Sequence, residues 1–311
     1  MLSVCLPGTG GMIPLPGRYL TCCFLEYQGK GILIDCGEGT QVALKAAGCR
    51  LSRIEIILFT HFHADHIAGL PGLLLSIGNT GRTRPLLLAG PPGLSQVASA
   101  LLIIAPLPYP VKVCELSPHA GLSGWEGLSV SSLPLSHWVP CYGYRCEVKR
   151  RPVFNPQKAQ ALGVPQAFYR VLHKGEPVCL PDGRKVTPEE VTDGARSPLS
   201  VCYCTDTLPI PEMVRFIQEA DLLIAEGMYG GEDPAEEEKL HEKRHSSFRD
   251  SARLAARAGV RQLWLTHFSP ALTDPLQALP QASAIFSHTA AAYDGIRLTL
   301  GSRRPPEDSR A

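Results

Sequence analysis

The chain has 311 residues, 44% of them hydrophobic and 19% charged, with a formal net charge of +1. This balance describes a globular chain with a sizeable core, one large domain or two small ones, and excludes polyanion binding through bulk charge. No run approaches the roughly 20 apolar residues that span a bilayer. Residues 1–8 lack the basic and apolar blocks of a secretory signal, so the cytoplasm is the expected location and no membrane partner is expected. The eleven cysteines include no CxxC pair, and several lie in apolar runs, so reduced and mostly buried thiols are expected.

In chain order, Pro7-Gly8-Thr9-Gly10-Gly11 is followed by strands at residues 20–27 and 31–35, joined in a hairpin by Gln28-Gly29-Lys30. Asp35-Cys36-Gly37-Glu38-Gly39-Thr40 breaks the second strand and opens a helix at residues 41–47. Turn chemistry alone accounts for this break; a role for Asp35 in holding an imidazole from behind accounts for it equally. Ile54-Glu55-Ile56-Ile57-Leu58-Phe59 reads as a buried strand that delivers Thr60-His61-Phe62-His63-Ala64-Asp65-His66. Three imidazoles and a carboxylate within six residues at a strand end supply the nitrogen and oxygen donors that suit zinc. The chain is expected to leave this loop as a helix from Ile67.

Further strands are expected at residues 85–89, 111–114, 128–133 and 143–148, with a helix at 93–104. The strand at 128–133 runs into Leu133-Pro134-Leu135-Ser136-His137. Apolar periodicity then fades between residues 149 and 197. It returns in a strand at 199–204, ending at Thr205-Asp206-Thr207, and a helix at 211–220 opened by proline. A strand at 222–225 stops at Glu226, an acidic stretch at 232–238 reads as a solvated face, and a helix at 246–258 is entered from His245. Strands at 262–265, stopping at Thr266-His267, and at 297–300 close the core, and residues 302–311 read as a frayed tail.

Five apolar strands thus stop at residues that bind metal or move protons: His61, His137, Asp206, Glu226 and His267. Two stops are near copies, Leu58-Phe59-Thr60-His61-Phe62 and Trp264-Leu265-Thr266-His267-Phe268. Strand ends that converge on one sheet edge build ligand sites there, so a shared site is expected.

His61-Phe62-His63-Ala64-Asp65-His66 resembles the H-x-H-x-D-H signature of the metallo-β-lactamase superfamily. Asp35-Cys36-Gly37-Glu38-Gly39-Thr40-Gln41 and Gly69-Leu70-Pro71-Gly72-Leu73-Leu74 sharpen it, because both resemble the ribonuclease Z family of tRNA 3′-processing endonucleases. The likeness runs from Gly8-Thr9-Gly10 to Tyr293-Asp294. It implies an α/β fold, an αββα sandwich of two face-to-face mixed sheets with helices outside, spanning residues 1–301. It further implies two zinc ions and a bridging hydroxide. His61, His63 and His137 would hold one ion, Asp65, His66 and His267 the other, and Asp206 would bridge them. By the same resemblance Asp65 would accept a proton from the attacking water, and His245, oriented by Glu226, would protonate the leaving oxygen. Precursor tRNA as substrate and a homodimeric state are also implied.

The match has departures. Ala225-Glu226-Gly227 lacks the histidine the family usually places before this glutamate, and Cys204-Thr205-Asp206 replaces the more common S-G-D. Residues 149–197 fall where the family carries a protruding tRNA-binding arm. From Arg145 to Arg196 there are ten Lys/Arg against six Asp/Glu, a local excess suited to an RNA backbone. Lys149, Arg150, Arg151, Arg170, Lys174, Arg184 and Lys185 are the candidate contacts, with Phe168 and Tyr169 as stacking or shape contacts. A plain solvated hairpin at 178–186 turning at Asp182-Gly183 is the simpler account of part of this segment. Two other activities stay open in the sequence: a hydrolase of small phosphodiesters or other esters on the same scaffold, and an RNA-binding protein with an inactive site.

Overall fold

Continuous apolar runs in this chain become strands buried on both faces, and they assemble into two seven-stranded mixed sheets. The computed structural model describes residues 1–104, 106–125, 127–230 and 234–301. The tail expected at 302–311 and the start of the acidic stretch at 232–233 lie outside the described residues.

From edge to edge, the first sheet contains Ile296–Leu300, Leu2–Gly8, Cys22–Tyr27, Lys30–Ile34, Ile54–Leu58, Leu86–Gly90 and Val111–Glu115. The second contains Thr289–Ala291, Leu263–Thr266, Leu222–Glu226, Leu199–Cys204, Tyr142–Val148, Leu128–Pro134 and Gly121–Trp125. The hairpin at Gln28-Gly29 forms as expected, whereas Leu2–Gly8 and Gly121–Trp125 pair as strands that the sequence reading did not separate from loop. Phe59 and Tyr144 are fully buried, and the Tyr144 hydroxyl donates to the Phe59 carbonyl across the two sheets. Helices cover the outer faces. The best capped of them, Phe248–Ala258, starts on a Ser247–Asp250 capping box and stops at Gly259, whose φ of 64° suits glycine.

Parallel register places the functional strand ends together. Ile34 pairs with Leu58, so Asp35 and the histidine loop leave one edge of the first sheet. Cys204 pairs with Ala225 and Glu226 with Thr266, so Asp206, Glu226 and His267 leave one edge of the second.

The histidine loop differs from its expected form. Ala64–Ile67 is already a helical turn, so Asp65 and His66 sit on a helix, and a second helix, Leu70–Gly78, follows after Gly69. Backbone contact explains why. Cys36 N–H donates to His66 O at 2.7 Å, and Gly69 N–H donates to Cys36 O at 3.0 Å. A Cβ on Gly37 would lie 2.0 Å from Asp65 O, and one on Gly69 would lie 1.9 Å from Gly37 O. The two glycine-bearing motifs are therefore where backbones press together to hold the turn carrying Asp65 and His66.

Residues Glu147–Leu199 form a second compact unit. It contains the helices Pro156–Ala161 and Tyr169–His173 and two short ladders, Val153–Phe154 with Thr192–Asp193 and Val178–Cys179 with Lys185–Val186. The expected hairpin at 178–186 is only a small part of it. Ala159, Val164, Leu172, Val178, Leu180, Val186 and Val191 make its own apolar cluster.

Gly69→Ala should destabilise the chain by roughly 1–3 kcal/mol, because backbone rather than a flexible side chain fills the space. Denaturant unfolding measures this, and an unchanged midpoint would contradict the clamp.

Candidate metal centre

The strand ends bring all seven proposed donors into two adjoining groups. In the first, His61 Nε2 lies 2.9 Å from His63 Nδ1, and His137 Nε2 lies 3.4 Å from the same atom. In the second, His267 Nε2 lies 3.3 Å from His66 Nε2 and 3.4 Å from Asp65 Oδ2. Asp206 joins the groups: its Oδ2 is 3.2 Å from His66 Nε2 and its Oδ1 is 3.3 Å from His267 Nε2. Its Oδ2 also lies in a second donor set with His61 and His66.

This donor set fits divalent metal. Ring nitrogens face one another with too few protons to satisfy them all, and the buried Asp206 Oδ2, 3.2 Å from His66 Nε2, makes no well-aligned hydrogen bond. Neutral imidazoles with carboxylates on an edge that keeps His63 exposed are the ligands of an open zinc site.

The rings are oriented from behind. Asp35 Oδ2 is 2.9 Å from His66 Nδ1, while its Oδ1 accepts from Thr60 N–H at 2.8 Å. The Thr60 hydroxyl lies 3.0 Å from His61 Nδ1. These contacts leave Nε2 of both rings directed to the centre. Glu226 Oε1 accepts from His267 Nδ1 at 3.0 Å and from His245 Nδ1 at 2.6 Å. Glu226 therefore orients a proposed ligand as well as His245, a double role that strand-end spacing alone does not reveal. Backbone groups finish the frame: Met12 N–H donates to Asp65 Oδ2 at 2.8 Å, and Gly11 leaves so little room that a Cβ there would lie 2.8 Å from the His267 ring.

Backbone strain gathers in the same place. Asp35, Asp206, His267, Met12 and Arg244 all have φ between 56° and 67°, a region that costs non-glycine residues energy. Opposite charges meet there as well. Burial alone would depress the His267 pKa, but Asp206, Asp65 and Glu226 outweigh it and push it up to about 10. Burial likewise opposes charge on His66, yet Asp206 and Asp35 raise it well above the usual imidazole range. His61 goes the other way, lowered by burial and by its neighbour His66. Partial burial opposes charge on Asp65, but His267 and His66 hold its carboxyl below the usual range. His245, despite its burial, is raised by Glu226.

The candidate RNA contacts divide. Lys149, Arg151, Arg170, Lys174 and Lys185 are exposed on the inserted unit. Arg150 is half-buried with Nε donating to Ser197 O at 2.6 Å, and Arg184 is paired with Asp182 at 2.7 Å. Phe168 and Tyr169 are half-buried against the unit's own apolar cluster, and the Tyr169 ring packs 5.0 Å from Phe154. Arg145 belongs to the sheet: Nη1 donates to Phe216 O at 3.0 Å and Gln218 O at 3.1 Å. The unit itself then carries nine basic against six acidic residues.

Comparison with known proteins agrees with this geometry. The chain is 46% identical over 304 residues to "Ribonuclease Z" of Lachnospira eligens, covering 96% of this chain and 98% of that one. It is 45% identical to "Ribonuclease Z" of Agathobacter rectalis at the same coverage. The chain belongs to the ribonuclease Z family. A family model described as anti-Pycsar protein Apyc1 also matches, over residues 2–97. Human tRNase Z, short form, is similar in structure, with 25% identity, a TM-score of 0.68 and coverage of 96% of this chain and 99% of that one. The metallo-β-lactamase fold protein YhfI from Bacillus subtilis shares the fold at 18% identity and a TM-score of 0.69, with 96% and 98% covered. The two mixed sheets with surrounding helices are that fold. Among the described residues no helix is long and apolar enough to cross a membrane.

In this ribonuclease Z family member, Glu226→Gln exchanges one acceptor oxygen shared by two rings for an amide. Divalent metal affinity should fall roughly 10- to 100-fold. Competition against a chromophoric chelator reads this directly, and wild-type affinity would count against the shared-carboxylate frame.

Proposed function

We propose that the chain is a dizinc endoribonuclease that removes the 3′ trailer from precursor tRNA, leaving a 3′-hydroxyl on the tRNA and a 5′-phosphate on the trailer. The observation that carries this reading is the meeting of seven His/Asp donors and the Glu226–His245 pair on one edge of a ribonuclease Z-family fold. His61, His63 and His137 would hold one zinc and Asp65, His66 and His267 the other, with Asp206 shared by the two groups. Bound there, the ions would supply Lewis acidity toward a phosphodiester.

The protein's own groups do the rest. Asp65 has Oδ2 fixed by Met12 N–H, which orients its carboxylate to take a proton from the attacking water. Glu226 fixes Nδ1 of His245 as the donor to Oε1, leaving Nε2 to give a proton to the departing 3′ oxygen. His245 is part-exposed at 16%, which suits a group that meets substrate. Residues 1–301 form the catalytic domain in this reading, with 149–197 as an exosite whose exposed Lys149, Arg151, Arg170, Lys174 and Lys185 grip the RNA backbone. The enzyme acts in the cytoplasm as a homodimer.

His63→Ala should abolish cleavage of a trailer-bearing precursor while circular dichroism stays native. Chelation should do the same and zinc restore it, with the cut mapped to the 3′ side of the discriminator base. Full activity in the chelated protein would overturn the reading. Replacing Arg151, Lys174 and Lys185 with alanine should weaken precursor binding and reduce the slope of log K against log salt by about 2. A small phosphodiester should be hydrolysed as before; equal losses on both substrates would remove the exosite.

A further inference from the structure

The rim of the centre carries an aromatic residue that no part of the reaction above employs. Trp138 directly follows His137 and is 66% exposed, the most exposed aromatic side chain among the described residues. An indole left in water beside a polar site gains nothing for the fold. Yet it is held in place. The Arg244 guanidinium carbon lies 4.6 Å from its ring centroid, and Arg244 Nη1 donates to His137 O at 3.2 Å. Arg244 pays for this position with a left-handed backbone, φ 60°, immediately before His245. The His137 and His245 rings are 5.4 Å apart, so Arg244 ties together the two loops that present them. One face of the indole is occupied by the guanidinium and the remaining surface is open.

We propose that Trp138, steadied by Arg244, is a stacking platform for the base of the nucleotide on the leaving-oxygen side of the scissile phosphate. The inference rests on the nuclease reading above. Three features support it. A π-face accepts every base, as an enzyme acting on many tRNAs requires. Single-stranded RNA ends offer unstacked bases to aromatic side chains. Trp138 also lies on the His137–His245 side of the centre, where His245 meets the departing 3′ oxygen. Met12, whose backbone N–H binds Asp65, and its neighbour Ile13 are 60% and 54% exposed.

The test uses zinc-loaded full-length protein and two precursors, one intact and one abasic at the nucleotide immediately 5′ of the cut. Trp138→Ala should lower kcat/KM on the intact precursor about 10-fold or more, and Trp138→Phe should keep most of the activity. The abasic precursor should cost the wild type a similar factor and Trp138→Ala nothing further. Equal losses for Trp138→Ala on both precursors, or no loss on either, would overturn the platform; the first result would fit a structural role and the second a surface for a protein partner. Zinc content and unfolding midpoint, measured on each variant, should match wild type. If zinc-loaded wild type cuts neither precursor, the nuclease reading fails and takes the platform with it, a result distinguishable because it involves no variant.

Discussion

The shared carboxylate of Glu226 is the contact on which the rest of the site depends. It is 1% exposed, and burying a carboxylate costs several kcal/mol unless donors surround it. Those donors are His245 Nδ1, His267 Nδ1 and the backbone N–H of Ser246 at 2.9 Å. His245 and Ser246 share the segment before the helix Phe248–Ala258, and His267 follows the strand Leu263–Thr266, so one buried charge couples two parts of the second sheet's edge. The same contact sets the tautomer of both imidazoles. Stability and chemistry are thus met by a single set of hydrogen bonds.

Asp35 does for the first sheet what Glu226 does for the second. It is buried, sits at the end of Lys30–Ile34, and accepts from Thr60 while lying 2.9 Å from His66. Two carboxylates behind the rings and two more, Asp65 and Asp206, among them place several negative charges in a small buried volume. A divalent cation among these donors would offset that charge, and the left-handed backbone at Asp35, Asp206 and His267 falls in the same place. The glycines at 11, 37 and 69 belong to the same economy, since each lets a backbone approach where a side chain would push a donor away.

Much of this was legible along the chain. Strand positions followed from apolar runs, and the stops at His61, His137, Asp206, Glu226 and His267 stood out because polar donors are rare at the ends of buried strands. Glycine motifs around residues 37 and 69 carried the family likeness, and their backbone contacts now give those glycines a physical reason. Other features were illegible because they depend on distant partners. Arg145 looked like part of a basic arm, but its guanidinium caps carbonyls 71 and 73 residues away. Phe168 and Tyr169 read as stacking or shape contacts, and the structure packs both partly against a small separate core. The turn at Ala64–Ile67 is too short for periodicity to reveal and forms where Cys36 and Gly69 clasp it.

By itself the sequence determined most of the element types, the proposed donors and the family likeness, because those depend on residue identity and short-range spacing. The tertiary structure alone decided which nitrogen of each ring faces the centre, that Glu226 serves two imidazoles, and that Trp138 stands on the rim under Arg244. Those outcomes depend on parallel register between strands far apart in the chain, and no local pattern encodes where two such strand ends meet.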